Sequence, residues 1–124
     1  MSQYADHYFD ESSRNNSWAN MLGFIPRGSR VLDVGCSTAN FGQALERLRE
    51  CEVVGVDIND DDIAEAREKI SAAYVVDITD PSALETLGTF DVIVFADVLE
   101  HLVDPRAALR ACKRLLTDRG AVVY

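Results

Sequence analysis

The sequence has no apolar run approaching the roughly 20 residues needed to cross a bilayer, and its first residues carry no charged-then-apolar leader. These absences set the expectation of a protein with no membrane partner and no export. Cysteine is scarce: Cys36, Cys51 and Cys112 are odd in number and include no C-x-x-C pair, which excludes a disulfide framework and a structural zinc site and fits a reducing cytoplasm. Only three Pro and seven Gly interrupt 124 residues, too few for a low-complexity or collagen-like chain. Positive charge is short as well, with 12 Lys and Arg against 21 Asp and Glu and a net charge of −9. Binding to a phosphate backbone rests on clustered Lys and Arg, so no nucleic-acid partner is expected. The basic residues of Arg27–Arg30, Arg47–Arg49 and Arg110–Arg119 alternate with apolar or acidic ones and read as solvated helix faces.

What is present is a globular composition, 48% hydrophobic and 27% charged, with five short apolar runs. These are Val31-Leu-Asp-Val34, Val53-Val-Gly-Val56, Tyr74-Val-Val76, Val92-Ile-Val-Phe95 and Ala121-Val-Val-Tyr124. Continuous apolarity marks strands buried on both faces of a parallel sheet. Between them, Phe41, Ala44, Leu45 and Leu48 share one helical face, as do Ala108, Leu109, Cys112, Leu115 and Leu116. Asp80-Pro81 and Asp104-Pro105 have the form of an N-cap followed by a first-turn proline, and Asp60-Asp61-Asp62 suits the positive end of a helix dipole. Strand and helix alternate, which predicts right-handed βαβ crossovers and a doubly wound α/β fold. Residues 1–25 are of different character, rich in aromatics, and are expected to form a helical cover segment beside a domain over 26–124.

Ligands of such sheets gather at the carboxyl ends of the strands, so the polar residues there are the candidates. Asp33-Val-Gly-Cys-Ser-Thr-Ala-Asn-Phe-Gly42 leaves the first strand and enters a helix near Asn40. The dinucleotide pattern G-x-G-x-x-G laid on Gly35 would need Gly at Ser37 and Asn40, and no Gly-Lys-Ser/Thr follows for a phosphate-cradling P-loop. What remains is a small-residue turn with an acid before it. Asp33 would repel a pyrophosphate and suits a cationic ligand such as the ammonium and sulfonium of S-adenosylmethionine. Asp57 ends the second strand, 22 residues beyond Gly35, where a carboxylate can accept the hydroxyls of a ribose. Asp77 ends the third, where it can accept the exocyclic amine of adenine, with Ile58 and Ile78 as apolar walls. For Asp57 or Asp77 alone, a turn or cap role is an equal alternative. Three acids at three successive strand ends make a stronger case than either.

These segments, together with Phe90-Asp-Val-Ile-Val-Phe-Ala-Asp-Val-Leu-Glu-His-Leu102, resemble the signature segments of class I S-adenosylmethionine-dependent methyltransferases, in order and spacing from Arg30 onward. The likeness is greatest to the small-molecule type with Glu-His-Leu after the fourth strand. The resemblance implies a Rossmann-like sheet of strand order 3-2-1-4-5 and S-adenosylmethionine as cofactor, with S-adenosylhomocysteine as product. It implies that Asp33 and the Gly35-Cys36-Ser37 backbone hold the methionine portion, Asp57 the ribose, and Asp77 with Ile78 the adenine, with Phe95 and Ala96 near the sulfonium. Family members commonly carry Gly where this chain has Ser37 and Ala39. The acceptor would be a small molecule such as a sugar or a quinone-like hydroxyl. A non-catalytic cofactor-binding or assembly module is the alternative.

Asp97-Val-Leu-Glu-His101 places two carboxylates and an imidazole on one side of a helical turn. It resembles the acid-x-x-Glu-His stretch of metal-dependent O-methyltransferases of quinone biosynthesis and of RNA 3′-end 2′-O-methylation. Asp97, Glu100 and His101 are therefore candidate metal ligands. His101 is also a candidate general base, and a packing or capping role is the plainer reading. The resemblance further implies two more strands and a helix beyond Tyr124, as in either a fragment or a natural minimal domain. An unpaired apolar edge at Ala121–Tyr124 would then favour a homodimer.

Overall fold

A computed structural model describes residues 5–7, 20–95 and 102–124. Six parallel strands form its sheet: β1 (Ala5–His7), β2 (Arg30–Val34), β3 (Glu52–Asp57), β4 (Ala72–Val75), β5 (Phe90–Phe95) and β6 (Leu116–Val123). The helices are α1 (Asn40–Arg49), α2 (Asp60–Ala66), α3 (Pro81–Glu85) and α4 (Pro105–Lys113), and residues 20–24 are helical as well. The strands lie in the order β1-β6-β5-β2-β3-β4. Leaving β1 aside, the five expected strands stand in the order 3-2-1-4-5, the doubly wound Rossmann-like arrangement.

Alternation along each strand divides the core into two layers. Val31, Val53, Val92 and Val94 face one layer with Phe41 and Leu45 of α1, Ile63 of α2, and Met21 and Ile25. Leu32, Val34, Val54, Val56 and Ile93 face the other, with Leu84 of α3 and Cys112 of α4. Each fully buried Val, Leu or Ile contributes about 1.5–3 kcal/mol relative to exposure, so these two layers hold the sheet. The expected helix starts are confirmed: the Asp80 carboxylate accepts from Ser82 N at 3.1 Å and that of Asp104 from Ala107 N at 3.0 Å. Asp60, Asp61 and Asp62 fill the first turn of α2, where the dipole favours them.

Three expectations need correction. The edge at Ala121–Val123 is not open, because β1 pairs with it in register Ala5↔Ala121, Asp6↔Val122 and His7↔Val123. The physical case for a homodimer through that edge loses its basis, and the cover segment contributes a strand here as well as the helical residues 20–24. Second, β6 starts at Leu116, the position that helical periodicity assigns to the end of the α4 stripe. Phe90 pairs with Leu116 and Val92 with Ala121, so β6 carries three more residues than β5 between these registers and bulges there. Third, Leu48 is 59% exposed, since α1 turns it away from the sheet.

Candidate functional site

The turn after β2 is locked to β3 by its own backbone. Gly35 N and Cys36 N both donate to Val56 O, at 2.8 and 3.0 Å. The chain can then reverse into α1 only through left-handed conformations: φ is 75° at Gly35, 54° at Ser37 and 70° at Ala39. Ser37 and Ala39 are the two positions where the resemblance leads one to expect Gly, and a non-glycine residue there costs about 1–2 kcal/mol. The turn keeps a strained shape without the residue that relieves it.

Asp57 joins this turn directly. Its Oδ2 accepts from Ser37 N at 2.9 Å and its Oδ1 from Asn59 N at 3.0 Å. Asn59 in turn caps α2, its side chain accepting from Asp62 N at 3.0 Å, and Asp62 Oδ2 lies 3.5 Å from Ser37 Oγ. Sequence reading missed Asn59 and Asp62 as parts of the site. Asn followed three residues later by an acid, just before an apolar position, is the capping signal that could have found them.

Asp33 sits beneath the turn, 2% exposed, on the α1 side of β2. Burial, and then the negative charge of Asp57, push its carboxyl from an ordinary 3.8 up to about 7. Cys36 lies over Gly55: a Cβ on that glycine would stand 2.7 Å from Cys36 Sγ. Burial first, then Asp33 and Asp57, drive the Cys36 thiol up to about 12, so it is packing material and not a nucleophile.

Asp77 keeps to its own turn, with Oδ1 accepting from Thr79 N at 2.9 Å and from Thr79 Oγ1 at 2.6 Å. Those bonds hold its exposed carboxyl below the usual range. Of the two proposed apolar walls, Ile58 is 71% exposed, and Ile78 is half-buried against the α3 and α4 layer. The Phe95 side chain is buried in that same layer, leaving its backbone as the part that reaches the strand end. Ala96, Asp97, Glu100 and His101 lie outside the described residues. Among the described residues, no group of three or more His, Cys, Asp or Glu could hold a metal ion, and no helix is long and apolar enough to cross a membrane. A groove of about 660 Å³ bordered by Arg30, Glu52, Tyr74, Ala83 and Leu87 runs along β3 and β4, apart from Asp33 and Asp57.

Residues 32–122 match a family model described as a methyltransferase domain. The chain belongs to that methyltransferase family. It is 35% identical over 98 residues to a ubiquinone biosynthesis O-methyltransferase of Xanthomonas oryzae pv. oryzae, covering 75% of this chain and 41% of that protein. The protein of the same name from Pseudomonas aeruginosa is 34% identical over 100 residues, covering 77% and 43%. The chain therefore spans about two fifths of the length of these curated relatives. Among solved structures, a TehB-like SAM-dependent methyltransferase from Corynebacterium glutamicum superposes with a TM-score of 0.69 at 28% identity, covering 90% of this chain and 68% of that one. A coclaurine N-methyltransferase bound to N-methylheliamine and SAH gives 0.71 at 21% identity, covering 96% and 39%, a likeness of fold.

Proposed function

We propose that this chain is the cofactor-binding part of an S-adenosylmethionine-dependent methyltransferase acting on a small-molecule acceptor, such as a sugar or a quinone-like hydroxyl. The observation that carries this reading is the set of acids at the ends of three adjacent strands, Asp33 on β2, Asp57 on β3 and Asp77 just past β4, the first two at the turn of small residues after β2. Bound there, S-adenosylmethionine supplies the methyl carbon on its sulfonium. The residues fit it. Asp33 and the Gly35-Cys36-Ser37 backbone offer negative charge and carbonyls to the methionine portion. Each oxygen of Asp57 already accepts one N–H and retains capacity for one ribose hydroxyl. Asp77 spends Oδ1 on Thr79 and leaves Oδ2 for the adenine amine, with Ile58 and Ile78 beside the ring.

In this reading the backbone of Phe95, and Ala96, which lies outside the described residues, line the pocket near the sulfonium. His101 is the proposed general base for the acceptor hydroxyl, and Asp97, Glu100 and His101 form the metal-assisted variant of the same reading. The names of the ubiquinone biosynthesis relatives support a quinone-like acceptor. Three free, buried thiols support a reducing, cytoplasmic setting.

Calorimetry with S-adenosylmethionine and S-adenosylhomocysteine tests the proposal. Both ligands are expected to bind, and Asp57→Ala, which removes hydrogen bonds to a charged group, is expected to weaken each about 10- to 100-fold. Absence of heat for both ligands with the unaltered chain would refute the reading. Binding followed by slow methyl transfer in the presence of small-molecule acceptors would favour the enzyme over a non-catalytic module.

A further inference from the structure

We infer that Asp33 is a proton-linked positioning residue, which carries a proton before the cofactor arrives and releases it when the cofactor's positive charge occupies the turn above. The inference rests on the proposed cofactor reading and adds to it a dependence on pH.

The geometry begins with the neighbours of Asp33. On β3 its partner is Gly55 and on β5 Val94, neither of which offers a charge. Over it lies Gly42 of α1, where a Cβ would stand 3.7 Å from Asp33 Oδ2 and only 3.0 and 3.1 Å from Val53 and Ile70. The helix therefore rests directly on the strand and keeps water away. Cys36 closes the side over Gly55 with a thiol that stays uncharged.

Among the described residues, the charged groups facing this spot are acidic. Asp57 stands two residues beyond Gly55 on the same face of β3, and Asp62 of α2 reaches Ser37 Oγ. Glu46 of α1 points elsewhere, accepting from Val53 N and Ser71 N. Lys69, after α2, is taken up by Asn40 and Glu65. On β5 the neighbours are valines, and Asp97, Glu100 and His101, which follow it, lie outside the described residues. A second full negative charge beside Asp57, sealed under Gly42, is costly, and a proton on Asp33 removes it. A ligand that brings an ammonium and a sulfonium reverses the balance: the O–H bond of Asp33 breaks, its proton goes to solvent, and the carboxylate left behind pairs with the cation.

Linkage then gives the sign. If binding releases a proton, affinity rises with pH below the midpoint of Asp33, by up to about tenfold per pH unit, and levels off above it. Calorimetry with S-adenosylhomocysteine and S-adenosylmethionine in phosphate and in Tris at matched pH measures the proton directly. The expected result for S-adenosylmethionine on the unaltered chain is release of half a proton or more near pH 6.5 and a several-fold gain in affinity from pH 6 to 7, with smaller release for S-adenosylhomocysteine, which lacks the sulfonium charge. Asp33→Asn should show neither. Carbon NMR of the aspartate carboxyls in the free protein provides a second measurement: one midpoint near neutrality is expected, moving down in Asp57→Asn. Binding without proton release, release that persists unchanged in Asp33→Asn, or an ordinary carboxyl midpoint for Asp33 overturns this inference alone. Failure of both ligands to bind at any pH overturns the cofactor reading and takes the inference with it.

Discussion

Replacing Asp33 by Asn tests the buried carboxyl through stability alone, with no ligand present. Asp33 is fully enclosed, and its carboxyl is raised from 3.8 to about 7 by burial first and Asp57 second. Because the folded state holds the proton more tightly than the unfolded chain, Asp33 is harmless below about pH 4. Its cost grows between pH 4 and 7 and is constant above. At about 1.36 kcal/mol per pH unit the full cost is about 4 kcal/mol above pH 7 and about 1.5 kcal/mol at pH 5. Water penetration and relaxation make these upper values. Asn is isosteric and uncharged throughout, so its stability relative to the unaltered chain should rise by about 2–3 kcal/mol from pH 5 to pH 8. Whatever constant offset the amide introduces cancels in that difference. With a urea m-value of about 1–3 kcal/mol per molar, the relative midpoint should move by about 1–2 M. Urea unfolding of both proteins at pH 5, 6, 7 and 8 measures this. A difference between the two that is the same at pH 5 and pH 8 would refute the reasoning.

Two further substitutions probe how the site is held. Gly55→Ala places a Cβ 2.7 Å from Cys36 Sγ and 2.9 Å from Ile70 Cδ1, and should destabilise by about 1–3 kcal/mol. Adding Cys36→Ala should recover part of that loss in denaturant titrations, and strictly additive effects would contradict the contact. Glu46→Ala removes the acceptor shared by Val53 N at 3.0 Å, Ser71 N at 2.9 Å and the Ser71 hydroxyl, which ties α1 to β3 and to the start of β4. A loss of about 1–3 kcal/mol is expected, since Val53 N is left without its side-chain acceptor, and a thermal midpoint within error of the parent would dispose of that role.

Much of the site was legible because strand-end acids are a local pattern. Asp57 and Asp77 each follow an apolar run and Asp33 stands one residue before the end of another, and a parallel sheet brings the ends of adjacent runs to one side whatever the details of packing. The same sequence did not disclose that Asp57 would bind Ser37 N while Asp77 turned to Thr79, because which donor a carboxylate meets depends on loop geometry. Nor did it disclose that the Phe95 side chain belongs to the core layer, since a strand buried on both faces carries no alternation to read.

The sequence by itself determined the five strands β2 to β6, the capped starts of α3 and α4, the acidic first turn of α2 and the order of the acids, because these are set by composition and periodicity within a few residues. Only the tertiary structure decided the rest. The three residues of β1 have no local tendency that outweighs their neighbours, and they become a strand only against Ala121, Val122 and Val123. The left-handed conformations at Ser37 and Ala39 persist because Val56 O and Asp57 hold the turn from β3. The acidity of Asp33 is likewise a property of its enclosure by Gly42, Gly55 and Asp57, groups 9 to 24 residues away in the chain that share nothing with it until the sheet forms.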